Sequence, residues 1–104
     1  MTSEDQRRPV KINKLIHEPA RLQIMTQLYV VEEADFLFLM RRTGLTWGNL
    51  SSHISKLEDA GYLEVRKEFL GKKPHTVLRI SASGREALKD YRKVINNIFE
   101  GASG

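Results

Sequence analysis

The sequence predicts one α+β domain, mainly helical, with a two-stranded hairpin set before its last helix. Three observations carry that expectation. Apolar residues follow helical spacing in four separate stretches before residue 60, the period drops to two between Gly61 and Ser81, and helical spacing then returns. With 104 residues, 40% of them hydrophobic, the chain suits one modest core that buries roughly 65% of the unfolded surface.

Residues 1–9 are polar, end in Arg-Arg-Pro, and read as a flexible arm. Val10, Ile12, Leu15 and Ile16 fit a short helix that His17-Glu-Pro19 interrupts. A second helix begins at Pro19, whose missing N–H is no loss in a first turn, and carries Leu22, Ile24, Met25, Leu28, Tyr29 and Val31. Glu32-Glu33 marks its end. Asp35 caps a short third helix with Phe36, Leu39 and Met40 inward and Gly44 just past its end.

Thr46 can cap a fourth helix that runs to Ala60, where Gly61 stops it. Leu50, Ile54 and Leu57 form one narrow apolar stripe, and the opposite surface is small and polar. Beyond it, Leu63, Val65 and Phe69 alternate, as do Thr76, Leu78 and Ile80, so two strands are expected. Gly71-Lys-Lys-Pro74 joins them in a loop expected to be longer than a two-residue turn. Ser81 caps the final helix, whose Ala87, Leu88, Tyr91, Val94, Ile95, Ile98 and Phe99 make a broad stripe, and residues 101–104 read as a fraying tail. The domain proper is residues 10–100.

The excluded classes are informative. Leu28–Val31 and Phe36–Met40 are the longest apolar runs, far short of the roughly 20 residues of a membrane-spanning helix. The charged N-terminus is unlike a secretory signal, so a cytoplasmic protein is expected. There is no cysteine, which removes disulfide and thiolate chemistry. Gly-x-Ser-x-Gly, Gly-x-x-x-x-Gly-Lys and His-Glu-x-x-His are all absent, and the three histidines lie 36 and 22 residues apart. No enzyme, cofactor or metal is expected. His17 reads as structural beside Pro19.

Lys plus Arg outnumber Asp plus Glu by 17 to 13, and the excess sits where the hairpin is expected. Arg66, Lys67, Lys72, Lys73 and Arg79 face only Glu64 and Glu68 between residues 62 and 79. Two short helices joined through Thr43-Gly-Leu-Thr46, the second with a small polar outer face, are the ingredients of a helix-turn-helix. Such a helix must bring its backbone close to base edges, which bulk would prevent. A basic hairpin directly after it can neutralise phosphates on the neighbouring backbone or minor groove.

The chain also resembles the short winged-helix regulators related to the MarR and ArsR groups. The likeness runs through His17-Glu-Pro-Ala-Arg21-Leu-Gln-Ile24, Asp35-Phe-Leu-Phe-Leu39, Gly44-Leu-Thr-Trp-Gly48-Asn-Leu50-Ser-Ser-His53-Ile-Ser-Lys56-Leu-Glu-Asp-Ala-Gly61-Tyr-Leu, Lys67-Glu-Phe-Leu-Gly71-Lys-Lys-Pro74-His-Thr76 and Ile80-Ser-Ala-Ser-Gly84. The resemblance implies a winged helix-turn-helix with a two-stranded wing and a C-terminal dimerisation helix. It implies a homodimeric DNA-binding transcription regulator whose helix over 46–60 reads the major groove and whose wing over 66–76 touches flanking double-stranded DNA. The metal-sensing Cys/His motif of many ArsR relatives is missing, and Lys-Lys-Pro-His stands where MarR relatives often carry an Asp and Arg pair, so no effector carries over.

The DNA-contacting residues are then Thr46, Trp47, Asn49, Ser51, Ser52, His53, Ser55 and Lys56 on the helix, with Arg66, Lys67, Lys72, Lys73 and His75 on the wing. Dimerisation falls to Val10, Ile12, Ile16, Leu88, Tyr91, Ile95, Ile98 and Phe99. Trp47 is open to three roles: packing across the helix start, stacking on a DNA sugar, or lining a ligand cleft. His53 is open to base contact, pH sensing or an incidental place. The rival from another class is a winged helix that binds protein, which salt dependence separates from DNA binding.

Overall fold

The structure, a computed structural model, describes residues 10–103, so the expected arm over 1–9 lies outside the described residues. Its elements are α1 (Pro19–Val31), β1 (Glu33–Asp35), α2 (Phe36–Thr43), α3 (Trp47–Asp59), β2 (Leu63–Leu70), β3 (Lys73–Ile80) and α4 (Ala82–Ser103). The strands form one antiparallel sheet in the order β1-β3-β2.

Among the described residues no helix forms before Pro19. The segment makes a single turn in which the Asn13 carboxamide accepts from the N–H groups of Leu15 and Ile16, and its carbonyl accepts from His17 N at 2.8 Å. The physical reason is twofold: one turn is too short to propagate, and the residue before a proline is driven to extended backbone, as Glu18 is at φ −148° and ψ 131°. That segment is nonetheless anchored. Ile16 is fully buried, Asn13 donates to the Tyr62 hydroxyl at 2.9 Å, and His17 Nδ1 lies 2.8 Å from the Tyr91 hydroxyl.

Glu18 supplies the cap of α1. Its carboxylate accepts from Arg21 N at 2.8 Å, and this bond, foremost among the causes, holds its pKa below the ordinary glutamate value. A carboxyl with a depressed folded pKa stabilises the fold above its unfolded value and loses that contribution as pH falls through the folded one. Glu18→Ala should therefore cost about 1 kcal/mol at neutral pH. In urea unfolding the gap between variant and wild type should close in acid; a gap that persists there would show that the carboxylate is not its source.

α1 gives way to β1 through Glu32, the one described non-glycine residue at positive φ, 72°. Its carbonyl accepts from Ile80 N at 3.2 Å and its carboxylate lies 3.5 Å from Arg85, which hold the strained residue in place. β1 then pairs Glu33, Ala34 and Asp35 with Arg79, Leu78 and Val77. The sheet is thus three-stranded where two strands were expected, because three residues wedged between a helix end and a helix cap carry no readable alternation.

The expected starts of the later helices stand. Asp35 accepts from Phe38 N at 2.7 Å, Thr46 from Asn49 N at 3.2 Å, and Ser81 from Gly84 N at 2.9 Å. Gly44 at φ 70° closes α2 in the left-handed conformation. α4 continues through residues 101–103, which had been expected to fray.

The hairpin turn is a further correction. Leu70 pairs with Lys73, so only Gly71 and Lys72 lie in the turn. Gly71 has φ 66° and Lys72 is not at positive φ, the pattern of a type II′ turn. The strands continue past the core, where alternation of apolar and polar residues no longer marks them. Leu50, Ile54 and Leu57 of α3 meet Ile24, Met25 and Leu28 of α1, Leu39 of α2 and Leu63, Leu78 and Ile80 of the sheet in one buried cluster. Each such side chain contributes about 1.5–3 kcal/mol on burial, and together they fix how α3 is presented.

Candidate nucleic-acid interface

Because α3 buries Leu50, Ile54 and Leu57, helical geometry turns Gly48, Asn49, Ser52, Ser55 and Lys56 outward, and all five are exposed. Nothing on that face is bulkier than a lysine. Ser51 and His53 sit half-buried at its margins. His53 leans toward α1, where its Nδ1 lies 3.1 Å from Arg21 Nη1. Guanidinium only donates, so Nδ1 is the acceptor of this hydrogen bond. Arg21 also donates from Nε to the Leu15 carbonyl at 2.6 Å, tying the N-terminal turn, α1 and α3 together. Sequence spacing offered no signal for Arg21, whose partner lies 32 residues away.

On the other margin, Trp47 packs on Phe36 with ring centroids 4.3 Å apart and an interplanar angle of 46°, and it remains 61% exposed. It thus packs across the helix start and also walls a cleft of about 220 Å³ between α3 and the wing. Ser51, Ser55, Glu58, Lys67 and Thr76 line that cleft over an apolar floor of Ile54, Val65 and Leu78. Thr46 is the exposed cap at the same end of the helix.

The structure divides the basic wing residues between two faces. Leu63, Val65, Lys67 and Phe69 are paired with Ile80, Leu78, Thr76 and Pro74 on the face that meets α3. Glu64, Arg66, Glu68 and Leu70, paired with Arg79, Val77, His75 and Lys73, belong to the opposite face. Lys72 is in the turn. Lys67 therefore stands beside α3, whereas Arg66, Lys73 and His75 point from the far side. Arg66 is further committed to Glu68 at 3.2 Å and Glu33 at 3.3 Å, and these carboxylates, Glu68 first, raise its pKa. Arg66 is thus engaged by two carboxylates on the face turned away from α3. Phe69, 70% exposed, is the wing residue that charge-based reasoning overlooked.

The expected dimerisation set is also divided. Ile16 is fully buried and Leu88 and Tyr91 nearly so, which makes them core residues with little surface for a partner. Val10, Ile98 and Phe99 are exposed, and Ile12 and Ile95 half-buried. Between α1 and α4 lies an apolar groove of about 370 Å³ lined by Leu22, Tyr29, Val30, Tyr91 and Ile95 among others. Among the described residues no helix is long and apolar enough to cross a membrane, and no group of three His, Asp or Glu could hold a metal ion.

Comparison with known proteins agrees with this architecture. An uncharacterized protein of Methanocaldococcus jannaschii is 35% identical over 78 residues, 75% of this chain and 85% of that protein. A transcriptional regulator homologue from Pyrococcus horikoshii OT3 matches with a TM-score of 0.80 and 29% identity over 97% of this chain and 95% of its own. A PadR-family transcriptional regulator from Eggerthella lenta DSM 2243 shares the fold at a TM-score of 0.66 and 17% identity, with coverage of 99% and 95%. The family model for the winged helix DNA-binding domain matches residues 20–99, from the first turn of α1 to the exposed end of α4, and the chain belongs to that family.

Proposed function

We propose that this protein is a homodimeric, sequence-specific transcription regulator of the cytoplasm that represses by occupying double-stranded DNA, with α3 in the major groove and the wing on the adjacent backbone or minor groove. The observation that carries the reading is the exposed face of α3 made by Gly48, Asn49, Ser52, Ser55 and Lys56, small or hydrogen-bonding residues with the acidic Asp59 beside them at the C-terminal end of the helix. Backbone can approach base edges there. Asn49 has the bidentate donor and acceptor that adenine matches, and Ser52 and Ser55 are short hydrogen-bonding groups. Lys56, Lys67 and Lys72 surround them with positive charge. Repression is the simplest consequence of occupancy, since a bound dimer excludes polymerase from the same DNA.

Titration against mixed-sequence duplex DNA at two salt concentrations is the first test. Log affinity should fall steeply with log salt as counterions are released. Salt-insensitive binding, or none, would favour a protein-binding winged helix instead. With a preferred duplex in hand, Asn49→Ala or Ser52→Ala should relax discrimination at one base pair by about 1–3 kcal/mol and leave unfolding unchanged. If both variants kept the wild-type preference, the reading face would lie elsewhere.

A further inference from the structure

Phe69 and Leu70 are large apolar side chains exposed at the tip of the wing, and Phe69 is the one on the α3 side of the sheet. An aromatic ring left 70% exposed on a hairpin is a cost to solubility that a core position would have avoided, and Phe69 does not pack against the core cluster. Its position is well defined by the backbone. The ladder is intact as far as Leu70 and Lys73, and the turn has only two residues, so the tip is a narrow, fully paired ribbon. Val65 still packs against the core, and Phe69 lies four residues further out, about 13 Å along the strand. The ring is on the α3 side of the sheet, directly across from Pro74, whose rigid pyrrolidine backs it.

The charges around the ring say what it meets. Lys67 is two residues back on the same face, and Lys72 and Lys73 lie at the turn. Of the opposite-face cations, Arg66 is held by Glu33 and Glu68, and Lys73 stands at the tip itself. An apolar tip bracketed by lysines complements a groove whose floor is base and whose walls are phosphate.

Deepening the DNA-binding reading above, on which this rests, we infer that Phe69 is an apolar wedge that enters the minor groove beside the major-groove site and partly unstacks one base step. Apolar side chains inserted in this way kink a duplex toward the major groove, and the cost is least at flexible pyrimidine–purine steps. The wing thereby adds sequence preference at a position where no hydrogen bond reads a base. Lys67 and Lys72 hold the flanking phosphates while the ring does this.

The full chain and duplexes that it enriches from a random pool provide the test. Wild type should bend such a duplex, measured by energy transfer between its ends, brighten 2-aminopurine placed at the wing step, and favour TA or CA there. Phe69→Ala should lose the bend, the brightening and the step preference, with affinity down about tenfold and the salt slope unchanged, because no cation is removed. Phe69→Leu should keep part of each signal. Lys72→Ala with Lys73→Ala should do the reverse, lowering the salt slope by up to about two units while keeping the step preference. Wild-type bend and brightening in Phe69→Ala would overturn the wedge while leaving DNA binding intact. Failure of wild type to bind duplex at all would overturn the DNA-binding reading itself.

Discussion

Gly84→Ala is expected to destabilise the domain by about 3 kcal/mol, a large share of the roughly 5–15 kcal/mol that holds a domain together. A Cβ on Gly84 would collide with the carbonyl oxygen of Tyr62 and come within 3.1 Å of Ile80 Cγ1. The first neighbour is backbone, and it is already engaged, accepting from Ser81 N at 2.9 Å. It has no rotamer through which to retreat. Gly84 is not among the positive-φ residues, so the demand is for space rather than for an unusual conformation. Alanine would bring a helix-propensity gain of about 1 kcal/mol, too small to offset separating α4 from the start of β2. Ser81 and Ser83 both donate to the Gly61 carbonyl at this junction, so the separation would loosen the cap as well. Gly101→Ala, in the same helix with open space around it, is the control and should be neutral or slightly stabilising. Urea midpoints followed by circular dichroism compare the two; equal midpoints would mean that the chain shifts to accommodate the methyl group at no cost.

The parts of this fold that were legible in the sequence are those set by signals within four or five residues. Asp35, Thr46 and Ser81 mark helix starts because a side-chain oxygen three residues before a free N–H is a local geometric fact, and Gly44 and Gly61 mark stops for a similarly local reason. β1 was illegible because its partner lies more than 40 residues away and its own three residues include two acids. The segment from Val10 to Ile16 has helical apolar spacing, but before the Pro19 break there is room for one turn only, and the Asn13 side chain takes the N–H groups of Leu15 and Ile16 locally. For the interface, the outer face of α3 follows from helical period and needed no structure. The wing did not yield to the same treatment, since counting its charges ignores which side each occupies. Alternation from Val65 already separates Lys67 from Arg66, and what no period reveals is that Glu33, from the missed strand, captures the arginine.

In the proposed homodimer, Ile98→Asp is expected to separate the two copies and to remove most of the DNA affinity. α4 has 22 residues, about 33 Å of helix, yet its contribution to the core cluster ends at Ile95. Beyond that point Ile98 and Phe99 are 37% and 71% exposed, and the apolar groove between α1 and α4 runs alongside. A second copy about a two-fold axis would cover this surface with the same surface, Val10 and Ile12 adding to its edge. The two copies of α3 would then address half-sites about 34 Å apart. Ile98 is the informative position because it lies outside the core cluster, so an aspartate there leaves the protomer folded, whereas Ile95→Asp strikes the core too. Light scattering at micromolar concentration should give two chains for wild type and one for Ile98→Asp, with unchanged helical content. Affinity for a palindromic duplex should fall about 10²–10⁴-fold, because the second half-site is then no longer bound as an intramolecular event, while affinity for a single half-site should hardly change. A wild-type mass of one chain as concentration is raised would exclude the dimer. A variant that kept the mass of two would move the interface off α4.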